Sequence, residues 1–187
     1  MSRAFEAPYQ ERRSATAILA AAQAAPLKQA PKPAKQPRKV EGRQLSIISS
    51  QSDLAAAPGT KLSLLVDVVP KPGMHVYAPE QTGGYIRIDL DLDEDAAFKP
   101  ATPVFPKASD YRFEPLNETF KVFEAPFRIR QDITLALTPA MRRRAAAKET
   151  LAITGTLRYQ ACDDQVCYRP DELRIAWTVA LQPLVPR

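Results

Sequence analysis

The chain has 187 residues, of which 45% are hydrophobic and 25% charged, the size and composition of one globular domain. No stretch approaches the roughly 18 uninterrupted apolar residues of a helical bilayer span, and one histidine with two cysteines cannot by themselves complete a zinc site of nitrogen and sulfur ligands. The net charge of +5 is lopsided: of 26 bases and 21 acids, nine and three fall in residues 1–43, leaving 17 and 18 for the remainder. A near-neutral body with a basic arm lacks the broad positive face that nucleic-acid binding uses. Six glycines without a phosphate-binding fingerprint speak against a nucleotide fold.

Residues 1–23 hold good helix formers from Tyr9 to Gln23 and are expected to form a short helical tail. Residues 24–43, which include AAPLKQAPKPAKQPRKVE, are expected to form an extended linker, because proline removes backbone donors and the lysines repel one another. The charged Glu11–Arg13 precedes only an alanine-rich run, a poor match to a secretory signal. Export is then specified upstream, or the chain is a fragment, or it stays in the cytosol. The segment SRAFEAPYQERRSATAIL (2–19) resembles the last residues of bacterial redoxin domains that precede a second domain. That resemblance implies an upstream redoxin domain.

From Gln44 to Arg187 the pattern changes to period two, the mark of strands with one buried face. Ile86, Ile88, Leu90 and Leu92 alternate with charges. Phe127, Ile129, Gln131, Ile133, Leu135 and Leu137 share one face, as do Leu151, Ile153, Gly155, Leu157 and Tyr159, then Leu173, Ile175, Trp177, Val179 and Leu181. Further strands are expected at Leu45–Ser49, Lys61–Val69, Met74–Tyr77 and Thr119–Glu124. Seven or eight strands without a long helical period predict an all-β, immunoglobulin-like antiparallel β-sandwich preceded by the arm. The only helical candidate in this region is TPAMRRRAAAKE, in which Arg142–Arg144 read as a solvated turn rather than a binding patch. Phe98–Leu116 reads as a long loop, functional or disordered.

Cys162 and Cys167 are the only cysteines. They follow one strong strand and precede the next, so on opposite arms of a hairpin they can approach within disulfide range. A staple closing so short a ring stabilises by only about 2 kcal/mol in the chain-entropy model, against about 4.7 for a 100-residue loop. Spacing alone leaves a redox pair and a passive staple evenly matched. Asp163 and Asp164 keep the loop polar, and Arg169 is placed to stabilise a thiolate.

The run YQACDDQVCYRP (159–170), with PGMHVYAPE (72–80) before it, resembles the N-terminal periplasmic domain of DsbD-type thiol:disulfide interchange proteins over roughly Gln44 to Leu184. The resemblance implies an immunoglobulin-like fold and a relay. In it, Cys162 and Cys167 take electrons from a membrane-embedded thiol reductase and pass them to periplasmic thioredoxin-like proteins, with no cofactor and no metal. Cys167 matches the cysteine that forms the mixed disulfide. His75 and Tyr77 match two active-site tyrosines, and Phe113 and Leu116 are candidates for the shielding residue of a cap loop around Asp110–Phe120. The pair here has four intervening residues where the best-known member has five. His75 is suited to accept a proton near neutral pH, although a structural hydrogen-bonding role is the commoner one for a lone histidine; Tyr77 is expected to pack beside the sulfurs. Two other readings stay open: an interaction module with a structural disulfide, and a Cu(I) site using Met74, His75 and both thiolates.

Overall fold

The alternating segments form strands because each has a continuous apolar row to bury. The computed structural model describes residues 37–114 and 117–184. The helical tail expected over 1–23, the linker as far as residue 36, and Leu116 lie outside the described residues. In chain order the strands are β1 (Arg38–Glu41), β2 (Leu45–Gln51), β3 (Ala55–Ala56), β4 (Lys61–Pro70), β5 (His75–Tyr77), β6 (Asp89–Leu92) and β7 (Phe98–Pro100). They continue with β8 (Ser109–Phe113), β9 (Glu118–Phe123), β10 (Phe127–Leu135), helix α1 (Pro139–Ala146), β11 (Thr150–Tyr159), β12 (Ala161–Cys162) and β13 (Asp171–Leu181).

Three sheets result, ordered β1-β2-β4-β10-β7, β3-β13-β11-β6 and β12-β5-β9-β8. Every pairing is antiparallel except the short β3–β13 contact. The first two sheets share one apolar core, including Leu45, Ile47, Leu64, Val66, Ile129 and Ile133 from one and Leu90, Ile153, Leu157, Ile175 and Trp177 from the other. Trp177 buries its ring and donates its indole N–H to the Ser50 carbonyl (3.0 Å), so the largest core side chain also ties β13 to β2. The fold is therefore the expected all-β sandwich.

Several local expectations differ. Arg38–Glu41, inside the stretch assigned to the linker, pairs with Ser46–Ser49 as an edge strand, and Val40 packs against the core. Ile86 precedes β6 and is exposed, and Leu137 follows β10 and is exposed; both apolar alternations outlast the strand that generates them. The expected loop Phe98–Leu116 contains β7 and β8. The turn expected at Arg142–Arg144 is helical: the Thr138 hydroxyl accepts from the Met141 N–H (3.2 Å) as N-cap, Pro139 opens the first turn, and Met141 and Ala145 face inward, the usual start signals of a helix.

Gly155 on β11 is where β6 comes closest. An added Cβ would stand 2.6 Å from the Asp91 carbonyl oxygen and 3.0 Å from Leu92 Cδ2, and backbone cannot yield as a flexible side chain does. Gly155→Ala is expected to destabilise the domain by ~1–3 kcal/mol, the usual cost of overpacking, read as a lower urea midpoint. An unchanged midpoint would contradict the β6–β11 register.

Candidate functional site

The third sheet has two working faces. Its register sets Cys162 opposite His75, Tyr77 opposite Val122, Tyr111 opposite Phe120 and Phe113 opposite Glu118. Residues directly opposed share a face, and successive residues alternate. Cys162, His75, Tyr77, Phe120, Val122, Tyr111 and Phe113 therefore lie on one face. Ala161, Val76 and Phe123 lie on the other and belong to the main core. One face anchors the sheet while the other builds a wall of rings around the sulfur.

Cys162 reaches this sheet because the chain leaves the β11–β13 ladder after Tyr159. Tyr159 pairs with Asp171 and Cys162 with Cys167; the second arm spans one residue more than the first, a bulge that re-aims the hairpin. Gln160 sits at the switch. Its amide nitrogen donates to the Tyr168 carbonyl (3.0 Å) and its oxygen accepts from the Ile86 N–H (3.4 Å). Beyond it the Asp163 N–H donates to the Val166 carbonyl (3.0 Å) and the Tyr168 N–H to the Ala161 carbonyl (2.9 Å). These bonds flank the cysteines and leave them a non-hydrogen-bonded pair, the position where opposed side chains come closest. Cys162 and Cys167 are joined as a disulfide, with Cα atoms 4.0 Å apart.

The two sulfur residues are not equivalent. Cys162 is 2% exposed and Cys167 is exposed. They line a cleft of about 160 Å³ with His75, Tyr77, Tyr85, Phe113 and Val166 among its walls. The Tyr77 hydroxyl stands 3.5 Å from each sulfur. Burial pushes the Tyr77 phenol up to about 12, so it remains a proton donor at any physiological pH. Tyr85 packs at a tilt against Tyr77 (centroids 4.6 Å apart) and meets Phe120 edge-on (5.0 Å), while its hydroxyl donates to Glu118 (3.3 Å).

His75 is buried and lies beside Tyr111, with ring centroids 4.5 Å apart. The Tyr111 hydroxyl donates to Asp164 (2.8 Å), which links the β8–β9 hairpin to the cysteine loop. Burial pulls His75 below its usual value, against the opposing pull of Glu124, Asp164 and Asp163, so the imidazole is neutral at pH 7. No lysine or arginine is among the cleft-lining residues. The donor nearest a sulfur that acquires negative charge is the Tyr77 hydroxyl.

Of the residues singled out in the sequence, Cys162, Cys167, His75, Tyr77 and Phe113 come together in this cleft. Arg169 is exposed and lies outside the lining, as does Met74. Tyr85, Tyr111 and Phe120 were not anticipated. The signal for two of them was present as the period-two pairs Tyr111-x-Phe113 and Phe120-x-Val122, hidden because the first sits in a stretch read as loop.

A family model described as thiol:disulfide interchange protein DsbD, N-terminal, matches residues 46–178. No match was found among curated proteins. A solved structure, the N-terminal periplasmic domain of ScsB from Proteus mirabilis, is similar with a TM-score of 0.46 at 10% identity, covering 78% of this chain and 51% of that one. The chain thus spans about half the length of that structure.

His75 gives the site a pH signature. Its neutral form is favoured in the fold, so below the unfolded value of about 6.5 the unfolded chain takes up a proton that the folded chain does not. Stability therefore falls as pH drops from about 6.5 toward the lower folded value, by at most ~1.4 kcal/mol per pH unit. In His75→Phe this component disappears. The loss of urea midpoint between about pH 7.5 and 5.5 should be smaller than in the wild type, and an equal or larger loss would contradict the buried neutral imidazole.

Proposed function

The chain belongs to the DsbD N-terminal family of thiol:disulfide interchange domains, and from that premise we propose that it relays electrons through Cys162 and Cys167, from a membrane-embedded thiol reductase to thioredoxin-like proteins of the periplasm. The observation that carries this reading is the asymmetry of the pair: an exposed Cys167 joined to a buried Cys162 beneath the Tyr77 hydroxyl.

Reduction of the pair begins when a donor thiolate attacks the exposed Cys167 sulfur. A donor–Cys167 disulfide forms, the Cys162–Cys167 bond breaks, and Cys162 leaves as a thiolate beside Tyr77. The donor's second thiolate then attacks its own sulfur in the mixed disulfide. The donor closes its disulfide and Cys167 is released, so two electrons have entered and two protons are taken up by the thiols. In the second half the Cys167 thiolate attacks an acceptor disulfide and expels one acceptor thiolate. Cys162 attacks Cys167, re-forms the original disulfide and expels the second. Attack at Cys167 follows from access, and departure of Cys162 from the hydroxyl at 3.5 Å, since exchange rates depend on access and on the leaving thiolate.

The aromatic wall suits this task. Tyr77, Tyr85 and Phe120 hold one another by tilted and edge-on contacts, walling a cleft beside the cysteines that a protruding partner cysteine loop can enter. Exposed Val166, next to Cys167, offers such a partner an apolar contact.

Mixing reduced cysteine variants with an oxidised thioredoxin-like protein tests the assignment. Cys162→Ala is expected to accumulate a mixed disulfide visible on a non-reducing gel, and Cys167→Ala to form none. If neither variant alters reduction of the partner, the relay is wrong.

A further inference from the structure

The loop between the cysteines, Asp163–Val166, contains no glycine, proline or asparagine, so of the usual turn-forming residues only aspartate is there to shape it. One side chain takes their place. Asp163 Oδ1 accepts from the N–H groups of Gln165 and Val166 (2.8 Å each), and Asp163 Oδ2 accepts from the Tyr168 hydroxyl (2.8 Å). A single carboxylate thus ties the first arm of the hairpin, its tip and its second arm, spanning both cysteines. Hydrogen bonds to an ionised acceptor are the stronger kind, and these hold the Asp163 carboxyl below its usual value.

This matters most when the disulfide is open. Beyond the sulfurs, the two arms are held to each other by the two flanking backbone bonds and by Gln160, because the β11–β13 ladder ends at Tyr159 and Asp171 on a different register; the pairing of Cys162 with His75 and the Tyr111–Asp164 bond fasten the first arm and the tip to the small sheet, not to the Cys167 arm. We infer that Asp163 is the positioning residue that keeps Cys167 facing Cys162 in the dithiol, and so sets how strongly the domain favours its disulfide. Clamp and disulfide each hold the arms together, so each stabilises the other by the same coupling free energy. Loosening the clamp weakens the disulfide and leaves the sulfurs in place as chemical groups.

A competing role for Asp163 is its charge beside Cys162. The two roles separate by substitution. Asn keeps an oxygen that accepts from Gln165 and Val166 but removes the charge; Ala removes both. The inference rests on the reading that the pair cycles between disulfide and dithiol, but its test needs no partner.

Wild type, Asp163→Ala, Asp163→Asn and Tyr168→Phe are equilibrated in dithiothreitol redox buffers, alkylated and weighed. Asp163→Ala should lower the disulfide-forming equilibrium constant about tenfold, equivalent to ~30 mV for a two-electron couple. Asp163→Asn should stay within about threefold of wild type, and Tyr168→Phe, which removes only the Oδ2 contact, should shift a smaller amount in the direction of Ala. Equal shifts in Ala and Asn, or no shift in either, overturn the inference. If Asp163→Ala does not fold, the sign of the Tyr168→Phe shift decides. Failure to trap a partner with the cysteine variants, alongside this ordering, would sink the relay and leave the clamp standing.

Discussion

The pairing of Cys162 with His75 is the constraint on which the site depends. It is a two-residue strand contact, yet it puts Cys162 on the face where the β5–β9 and β8–β9 registers gather the rings. A slip of one residue would turn Cys162 toward the main core and Ala161 toward the cleft, because strand side chains alternate. The slip is opposed from below by the burial of Ala161, Val76 and Phe123 in the sandwich core. It is opposed from the side by Gln160, whose amide group fastens both Tyr168 and Ile86 at the point where the chain changes sheets. The stability of the sandwich is thus converted into the placement of one sulfur.

Around that sulfur the charges are arranged by subtraction. Burial keeps His75 neutral and the Tyr77 phenol protonated. The hydrogen bond to Asp164 raises the Tyr111 phenol, and burial with the nearby Glu118 charge raises that of Tyr85, while Asp163 spends both oxygens on the hairpin itself. A thiolate in this cleft meets a hydroxyl donor and aromatic faces rather than a cation. Such a site suits the proposed exchange, in which a partner sulfur reaches the pair through the exposed Cys167.

The long strands were legible because each carries four or more alternating apolar positions: Leu173 to Leu181 and Leu151 to Tyr159 lie in the core as the period implies. Short elements were not. Three residues of β7 and five of β8 carry too little periodicity to stand out among prolines, so the strand that supplies Tyr111 and Phe113 read as loop. Ile86 and Leu137 extend an alternation past the end of its strand, where no partner backbone remains to bury them. Arg38–Glu41 has a linker's composition and becomes a strand by pairing with the edge that β2 presents. At the site, the cysteines stand out as an isolated pair, His75 and Tyr77 through the resemblance of a short motif, and Phe113 as a candidate in the stretch matched to a cap loop. Tyr85 does not stand out, since it reaches the cleft from an irregular segment, held by ring contacts and a hydroxyl bond to Glu118.

The pair carries an asymmetry, with Cys167 exposed and Cys162 buried. Timed alkylation of the reduced domain at neutral pH, followed by peptide mapping, measures it directly. Access and thiolate character govern thiol reactivity, so Cys167 should be modified at least about tenfold faster than Cys162. Equal rates, or faster modification of Cys162, would contradict the assignment of Cys167 as the sulfur that meets the partner.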